Sequence, residues 1–236
     1  MRALRILLVF LVIFAVLFVA ADRIALKLAE DEAAERVRSA QGVAEAGDAS
    51  VDVQGFPFLT QVFAKELDQV DVTLDGLTAQ AGDREVTVTK IDAQLRHVKL
   101  ENNYSSAVAQ DATGTALISY ADLSKAADEG VKVGWGGKNA KGEGQVEVTA
   151  GVTLLGRSFE RSVHSTVSLK DGDTVKLHAE KVPGDGIPGV EDAIRKKIDF
   201  DRTISGLPKG LELNRVEATK KGIVLGVKGT GVELGG

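Results

Sequence analysis

Residues 51–77 read VDVQGFPFLTQVFAKELDQVDVTLDGL, and the change of period inside this stretch decides the fold. Val51 and Val53 alternate with Asp52 and Gln54, the two-residue period of a strand with one apolar face. Gly55-Phe56-Pro57-Phe58 interrupts the strand, and Pro57 suits the first turn of a helix. Phe58, Leu59, Val62 and Phe63 then fall at i, i+1, i+4 and i+5, one face of a short helix before Lys65 and Glu66. Alternation returns with Val70, Val72, Leu74 and Leu77 set against Asp71, Thr73 and Asp75.

Outward from this stretch the two-residue period dominates. It runs through Val86 and Val88, slips at Lys90-Ile91 and resumes as Ile91, Ala93 and Leu95, which predicts a β-bulge. Thr113–Ile118 is a further strand, and Ser119-Tyr120-Ala121-Asp122-Leu123 starts a helix that ends near Gly130. Gly134-Trp135-Gly136-Gly137 and the glycines between Gly226 and Gly231 read as turns and strand ends, because neither sits between a strand and a helix as a phosphate cradle would. Strands are expected at 143–155, 157–169 and 173–181, with Asp171-Gly172 as a hairpin turn. A loop over 183–188, a short helix over 190–198 and two closing strands, one ending near Thr219 and one over 223–227, complete the pattern. A strand with one apolar face must bury it, and there are too few helices to cover both sides of a sheet. The expected class is therefore α+β, mainly β: a long curved antiparallel sheet, elongated and single-layered, wrapped around short helices.

The amino terminus sets the compartment. After Arg2 and Arg5, sixteen residues from Ile6 to Ala21 carry no charge. As a helix they span roughly 24 Å, which flanking apolar residues and snorkelling arginines extend toward the ~30 Å hydrocarbon core. A basic start, an apolar middle and Val19-Ala20-Ala21 at the end also describe a cleavable secretory signal. Residues 1–21 are thus a signal peptide or a signal anchor, and either one exports the rest, to a membrane-anchored or periplasmic position. Residues 22–42, with charges of alternating sign around Ile24, Leu28 and Val37, read as a charged helical stalk that ends at Gly42. Residues 43–236 show no internal composition break and form one β-rich domain.

Composition excludes several functions. A net charge of −5 is wrong for a duplex nucleic-acid binder, and the absence of cysteine removes thiolate chemistry, disulfides and Cys-based zinc sites. There is no G-x-S-x-G elbow, H-E-x-x-H or Walker A loop, so no catalytic residue, metal ligand or cofactor is assigned and the chain does not read as an enzyme. His164 and His178 flank the Asp171-Gly172 turn on the polar face of their hairpin. If Leu169 pairs with Asp173 they stand opposite each other, a geometry for a metal or a pH response; shifted by two residues they are only diagonal. His97 reads as a surface residue. Asp171 and Asp173 resemble half a calcium loop but are explained by the turn, and Asn103-Tyr104-Ser105 fits the glycosylation triplet.

The aromatic residues point elsewhere. Beyond the amino-terminal span, Phe56, Phe58 and Phe63 lie within eight positions of one another. They are either a plug in a solid core or an apolar lip where a lipid chain or bilayer meets the domain. On the second reading Phe56, Phe58, Leu59, Val62 and Phe63 form a wall or entrance and Val70, Val72 and Leu74 adjoin it, with Lys65 or Lys90 near the head group.

At this point the chain resembles the actinobacterial LmeA-like phospholipid-binding proteins, formerly a domain of unknown function. The resemblance rests on Val51–Phe63, centred on Gly55-Phe-Pro-Phe-Leu-Thr-Gln61, with support from Ile118–Leu123 and from Leu207–Leu213 leading into Val216 and Gly222-Ile223-Val224. It implies an exported or membrane-tethered protein with a curved sheet wrapped on helices, similar to one half of the tubular lipid-binding (BPI-like) fold. It also implies phospholipid as ligand, phosphatidylinositol included, and a link to envelope lipoglycan assembly; an envelope-assembly enzyme is a separate expectation, as the partner that a scaffold would serve. The Gly-Trp-Gly-Gly stretch and the hairpin over 143–181 lie outside the resemblance. The expected function is extracytoplasmic phospholipid binding in an apolar groove; the alternative is a non-enzymatic envelope scaffold with a solid core.

Overall fold

The computed structural model describes residues 2–39, 47–81, 84–127, 129–154, 157–179, 200–204 and 207–234. Helix α1 (Arg2–Ser39) is unbroken across the apolar run and the charged segment, about 57 Å of helix. After it come β1 (Ala49–Gln54), α2 (Phe58–Ala64), β2 (Glu66–Ala81), β3 (Arg84–Glu101), β4 (Ser106–Ser119), α3 (Tyr120–Ala126), β5 (Val131–Lys138), β6 (Gly144–Leu154), β7 (Arg157–Lys170), β8 (Thr174–Ala179), β9 (Phe200–Thr203), β10 (Leu211–Thr219) and β11 (Gly222–Leu234). All strand pairs are antiparallel, so the molecule is mainly β, as the alternation predicts. The ladder divides into two sheets, β1-β2-β3-β4-β11-β10 and β5-β6-β7-β8-β9.

Each sheet has its own core. In the first, Val51, Leu67, Val70, Val98, Ala109, Ala112 and Val232 gather beneath Phe58 of α2 and Ala34 of α1. The charged segment after the span is therefore amphipathic and packed: Ala25, Leu26, Ala29, Ala33 and Val37 join the same cluster. The second core lies on one face of the five-stranded sheet, with Val131, Val146, Val148, Ala150, Val163, Val175, Leu177 and Ala179, covered by Leu213, Ala218, Ile223 and Leu225 from β10 and β11. Strand β10 thus edges the first sheet and packs across the second. The two approach so closely at Gly144 that a Cβ there would fall on the Ala218 carbonyl oxygen, which is why glycine starts β6.

Three local expectations are corrected. No bulge interrupts β3 at Lys90-Ile91: the β2–β3 register continues unshifted from Leu74↔Ile91 to Leu77↔Val88. The slip in alternation instead falls at the rung between them, where Gly76 has φ 69°. A second crease crosses the sheet where His97 of β3 (φ 49°) and Gly231 of β11 (φ 61°) both lie opposite Gln110 of β4. No residue is inserted, yet Leu67 and Val98 on one side of this crease share a core with Val70 and Leu95 on the other. The left-handed backbone resets which face the side chains take. The Gly134–Gly137 stretch and the Gly226–Gly231 stretch are also strand rather than turn, inside β5 and β11.

The hairpin turn at Asp171-Gly172 is present, with both residues at positive φ (55° and 76°). Its register pairs Leu169 with Val175 and Thr166 with His178, while His164 faces Glu147 of β6. The two histidines are therefore diagonal rather than opposed, because Leu169 pairs with Val175, two residues beyond the Asp173 partner that would set them face to face. His97 is exposed, its Nδ1 4.0 Å from Asp111 Oδ2. The loop expected over 183–188 and the helix over 190–198 lie outside the described residues.

Candidate functional site

The Phe56–Phe63 corner is assembled by a residue far from it in sequence. A seven-residue helix is too short to be stable alone, so α2 depends on its surroundings. Its N-cap position, Pro57, offers no side-chain acceptor. Asp22, the first charged residue after the apolar run, supplies one: its fully buried carboxylate accepts the Leu59 backbone N–H at 2.8 Å. Arg23 Nη2 holds the other carboxylate oxygen at 2.6 Å, and the same guanidinium lies 5.1 Å from the centre of the Phe56 ring. At the far end Lys65 takes a left-handed conformation and its N–H closes the helix on the Val62 carbonyl at 3.0 Å. Gln61 is buried between strands, donating from Nε2 to the Gln54 carbonyl and accepting the Asp68 N–H at Oε1.

The corner divides the expected site residues into two groups. Phe58, Leu59 and Val62 turn inward and join Val70 and Val72 in the first core, against α1. Leu74 is half-buried four rungs from Val70, opposite Ala49, and outside that cluster. Phe56 and Phe63 point outward, 61% and 83% exposed. Among the side chains beyond α1 whose exposure the structure describes, the other large apolar one that is exposed is Tyr104, whose hydroxyl lies 3.5 Å from the Val62 carbonyl at the same corner. Lys65 belongs to this corner, but Lys90 does not. It sits nine residues further along β3 from Lys99, the partner of Glu66, so about 30 Å away, and is paired with Asp92 at 2.9 Å.

A groove of about 570 Å³ runs beside the corner, between α1 and the edge strand β1. It extends from Arg23 to Arg38, fifteen residues or roughly 22 Å of helix. Leu26, Ala34, Ala49 and Val51 give it apolar surface, and Lys27, Glu30, Asp31, Glu35 and Asp52 give it charge. The groove is thus amphipathic, where the sequence suggests a purely apolar trough. Two α1 side chains bind the open edge of β1: Glu30 Oε1 accepts the Val53 N–H at 2.9 Å and Arg38 Nη2 donates to the Ala49 carbonyl at 3.1 Å.

A second polar cluster sits at α3. Ser119 caps that helix by accepting the Asp122 N–H, and the Asp122 carboxylate accepts from the hydroxyls of Ser119 (2.6 Å) and Thr89 (3.1 Å) and from Lys125 (3.1 Å). The Ser119 hydrogen bond, with smaller help from Lys125 and Thr89, holds the Asp122 carboxyl below the usual carboxylate range against the opposing effect of burial. Burial pushes the neighbouring Tyr120 phenol up to about 12, and its hydroxyl donates to the Thr219 carbonyl at 2.7 Å. These bonds fasten α3 to β3, β4 and β10. No group of three or more metal-ligating side chains occurs among the described residues.

Residues 20–227 match the family model of LmeA-like phospholipid-binding proteins. The chain belongs to the LmeA-like phospholipid-binding family. The match begins two residues before Asp22, so the family's region takes in the α1 segment that caps α2 as well as the sheets. A comparison with curated proteins and one with solved structures each returned no match. Family membership makes phospholipid binding the function of the chain at its coarsest, and α1 contains a run long and apolar enough to cross a membrane. Asp22 and Arg23 escape a reading by motif, and Gln61 stands inside the Gly55–Gln61 motif without a sign there that its side chain bonds Gln54 and Asp68. The one hint is that Asp22 is the first charge after the apolar run, and the pattern gives no sign that it reaches residue 59.

Proposed function

We propose that this chain is a non-catalytic, extracytoplasmic phospholipid-binding module, held at the membrane by α1, that shelters acyl chains beside the Phe56–Phe63 corner. Phe56 and Phe63 are the lip; Phe58, Leu59, Val62, Val70 and Val72 form the packed wall behind it, and Leu74 lies further along β2. The observation that carries this reading is the groove between α1 and β1, which starts at Arg23 over the Phe56 ring, next to the end of the apolar run. Its volume of about 570 Å³ falls in the ~300–1,000 Å³ range of small-ligand sites. Ten methylenes withdrawn from water contribute roughly 8 kcal/mol before ordering costs, so an acyl chain needs few polar contacts to stay bound. The role that fits is carriage or presentation of lipid for envelope lipid or lipoglycan assembly, with an envelope-assembly enzyme as partner.

The test is recovery of lipid. Solvent extraction or native mass spectrometry of the purified full chain is expected to release phospholipid, and emptied protein is expected to take up labelled phospholipid. Protein that is lipid-free and also refuses the label overturns the proposal. One observation favours the second reading, an envelope scaffold: the residues of each apolar core pack against one another in a continuous cluster. Loss of an envelope enzyme from its complex when this chain is deleted, without any lipid uptake by the chain, is the result that supports it.

A further inference from the structure

We infer that the α2 corner is a membrane-docking foot, locked by Asp22 at the height of the lipid head groups, so that the domain stands on the bilayer in one orientation. The inference rests on the membrane-tethered, lipid-binding reading above and adds to it the surface that meets the bilayer.

Three observations converge. First, α1 does not break between the apolar run and the domain, so no hinge within the helix frees the domain from the span. Within the run Phe18, one turn before Asp22, is half-buried where its neighbours are exposed. Second, Asp22 fixes the height of α2. Its bond to the Leu59 N–H ties the helix to the residue directly after the span, and α2 is about 10 Å long. Every residue of α2 therefore lies within about 10 Å of the end of the apolar run. The polar interface of a bilayer is itself roughly 5–8 Å thick on each side of the hydrocarbon. Third, Phe56, Phe63 and Tyr104 are the large apolar side chains left exposed beyond α1 among those whose exposure the structure describes, and all three are at this corner. Aromatic rings at that depth exchange water for the head-group region, where amphipathic rings are favoured. Arg23 and Lys65 flank them as cations suited to lipid phosphates.

Asp22 is then a positioning residue: it touches no lipid but keeps the aromatic side chains at the surface. The lack of native cysteine gives a clean test. A fluorophore on Phe63→Cys, in the full chain in phosphatidylglycerol-containing vesicles, is expected to be quenched several-fold more by lipids spin-labelled near the head group than the same fluorophore on Asp171→Cys at the remote hairpin turn. Phe56→Cys should repeat the result, covering any local disturbance at position 63. Adding Asp22→Ala is expected to reduce quenching at position 63 while the span stays inserted. Equal, weak quenching at positions 63, 56 and 171 overturns the foot; quenching at 63 that ignores Asp22→Ala overturns the lock. Either failure can occur in protein that still takes up phospholipid, so it is distinguishable from failure of the lipid-binding proposal.

Discussion

Phe58 and Phe63 are the same residue type on one short helix, and the corner assigns them opposite duties. Phe58 is 6% exposed and lies between Val51, Leu67 and Val70 of the sheet and α1. Phe58→Ala removes the ring from a packed site and leaves a cavity, a loss of about 4 kcal/mol for a phenylalanine that cannot be refilled from either side. For a chain of this length that lowers Tm by roughly 10 °C. Phe63 is 83% exposed, so Phe63→Ala gives up almost no packing. Its effect is expected within ~0.5 kcal/mol, about 1 °C. Thermal unfolding followed by far-ultraviolet circular dichroism, with all variants in one detergent, measures both. Vesicle-surface quenching or labelled-lipid uptake should then reverse the order, with the stable Phe63→Ala variant impaired. Comparable Tm losses for the two variants would refute the division into an inward wall and an outward lip.

Three further outcomes follow from particular contacts. Asp122 has a lowered folded pKa, so its stabilisation is complete above the ordinary value of 3.8 and disappears as pH falls through the lower folded value. Asp122→Asn should cost about 1–2 kcal/mol, constant from pH 5 to 8 on this argument, with the gap from the parent closing below about pH 4; a gap that grows on acidification contradicts it. Ser165 is fully buried opposite Val146 and Ala179, and its hydroxyl has no hydrogen-bond partner among the described residues. Ser165→Ala is expected to raise stability by about 1 kcal/mol in urea unfolding, and a loss of that size would reveal a partner. Gly144→Ala should cost about 1–3 kcal/mol, since its Cβ would strike the Ala218 carbonyl where β10 crosses the second sheet; an unchanged urea midpoint would show the two strands free to part.

Reading along the chain was enough for what is local. The alternation of Val51–Gln54 and Val70–Asp75, the i, i+4 spacing of Phe58 and Val62, the Asp171-Gly172 turn and the sixteen uncharged residues up to Ala21 each carry their meaning within a few neighbours. Strand, short helix and apolar span were legible there, because side-chain period and the backbone freedom of glycine act over that range. Tertiary structure alone decided the rest. The crease at the Gly76 rung changes which face is buried without adding a residue, so counting along β3 mistakes it for a bulge at Lys90-Ile91. The ladder's division into two sheets, with β10 serving both cores, depends on pairings over a hundred residues apart. Above all, Phe58 faces core and Phe63 faces outward on a helix packed against the sheet and α1, and tied to Asp22, thirty-seven residues before Leu59. A buried carboxylate takes whichever donors the folded chain brings to it, and a linear pattern of polar and apolar residues holds no record of that choice.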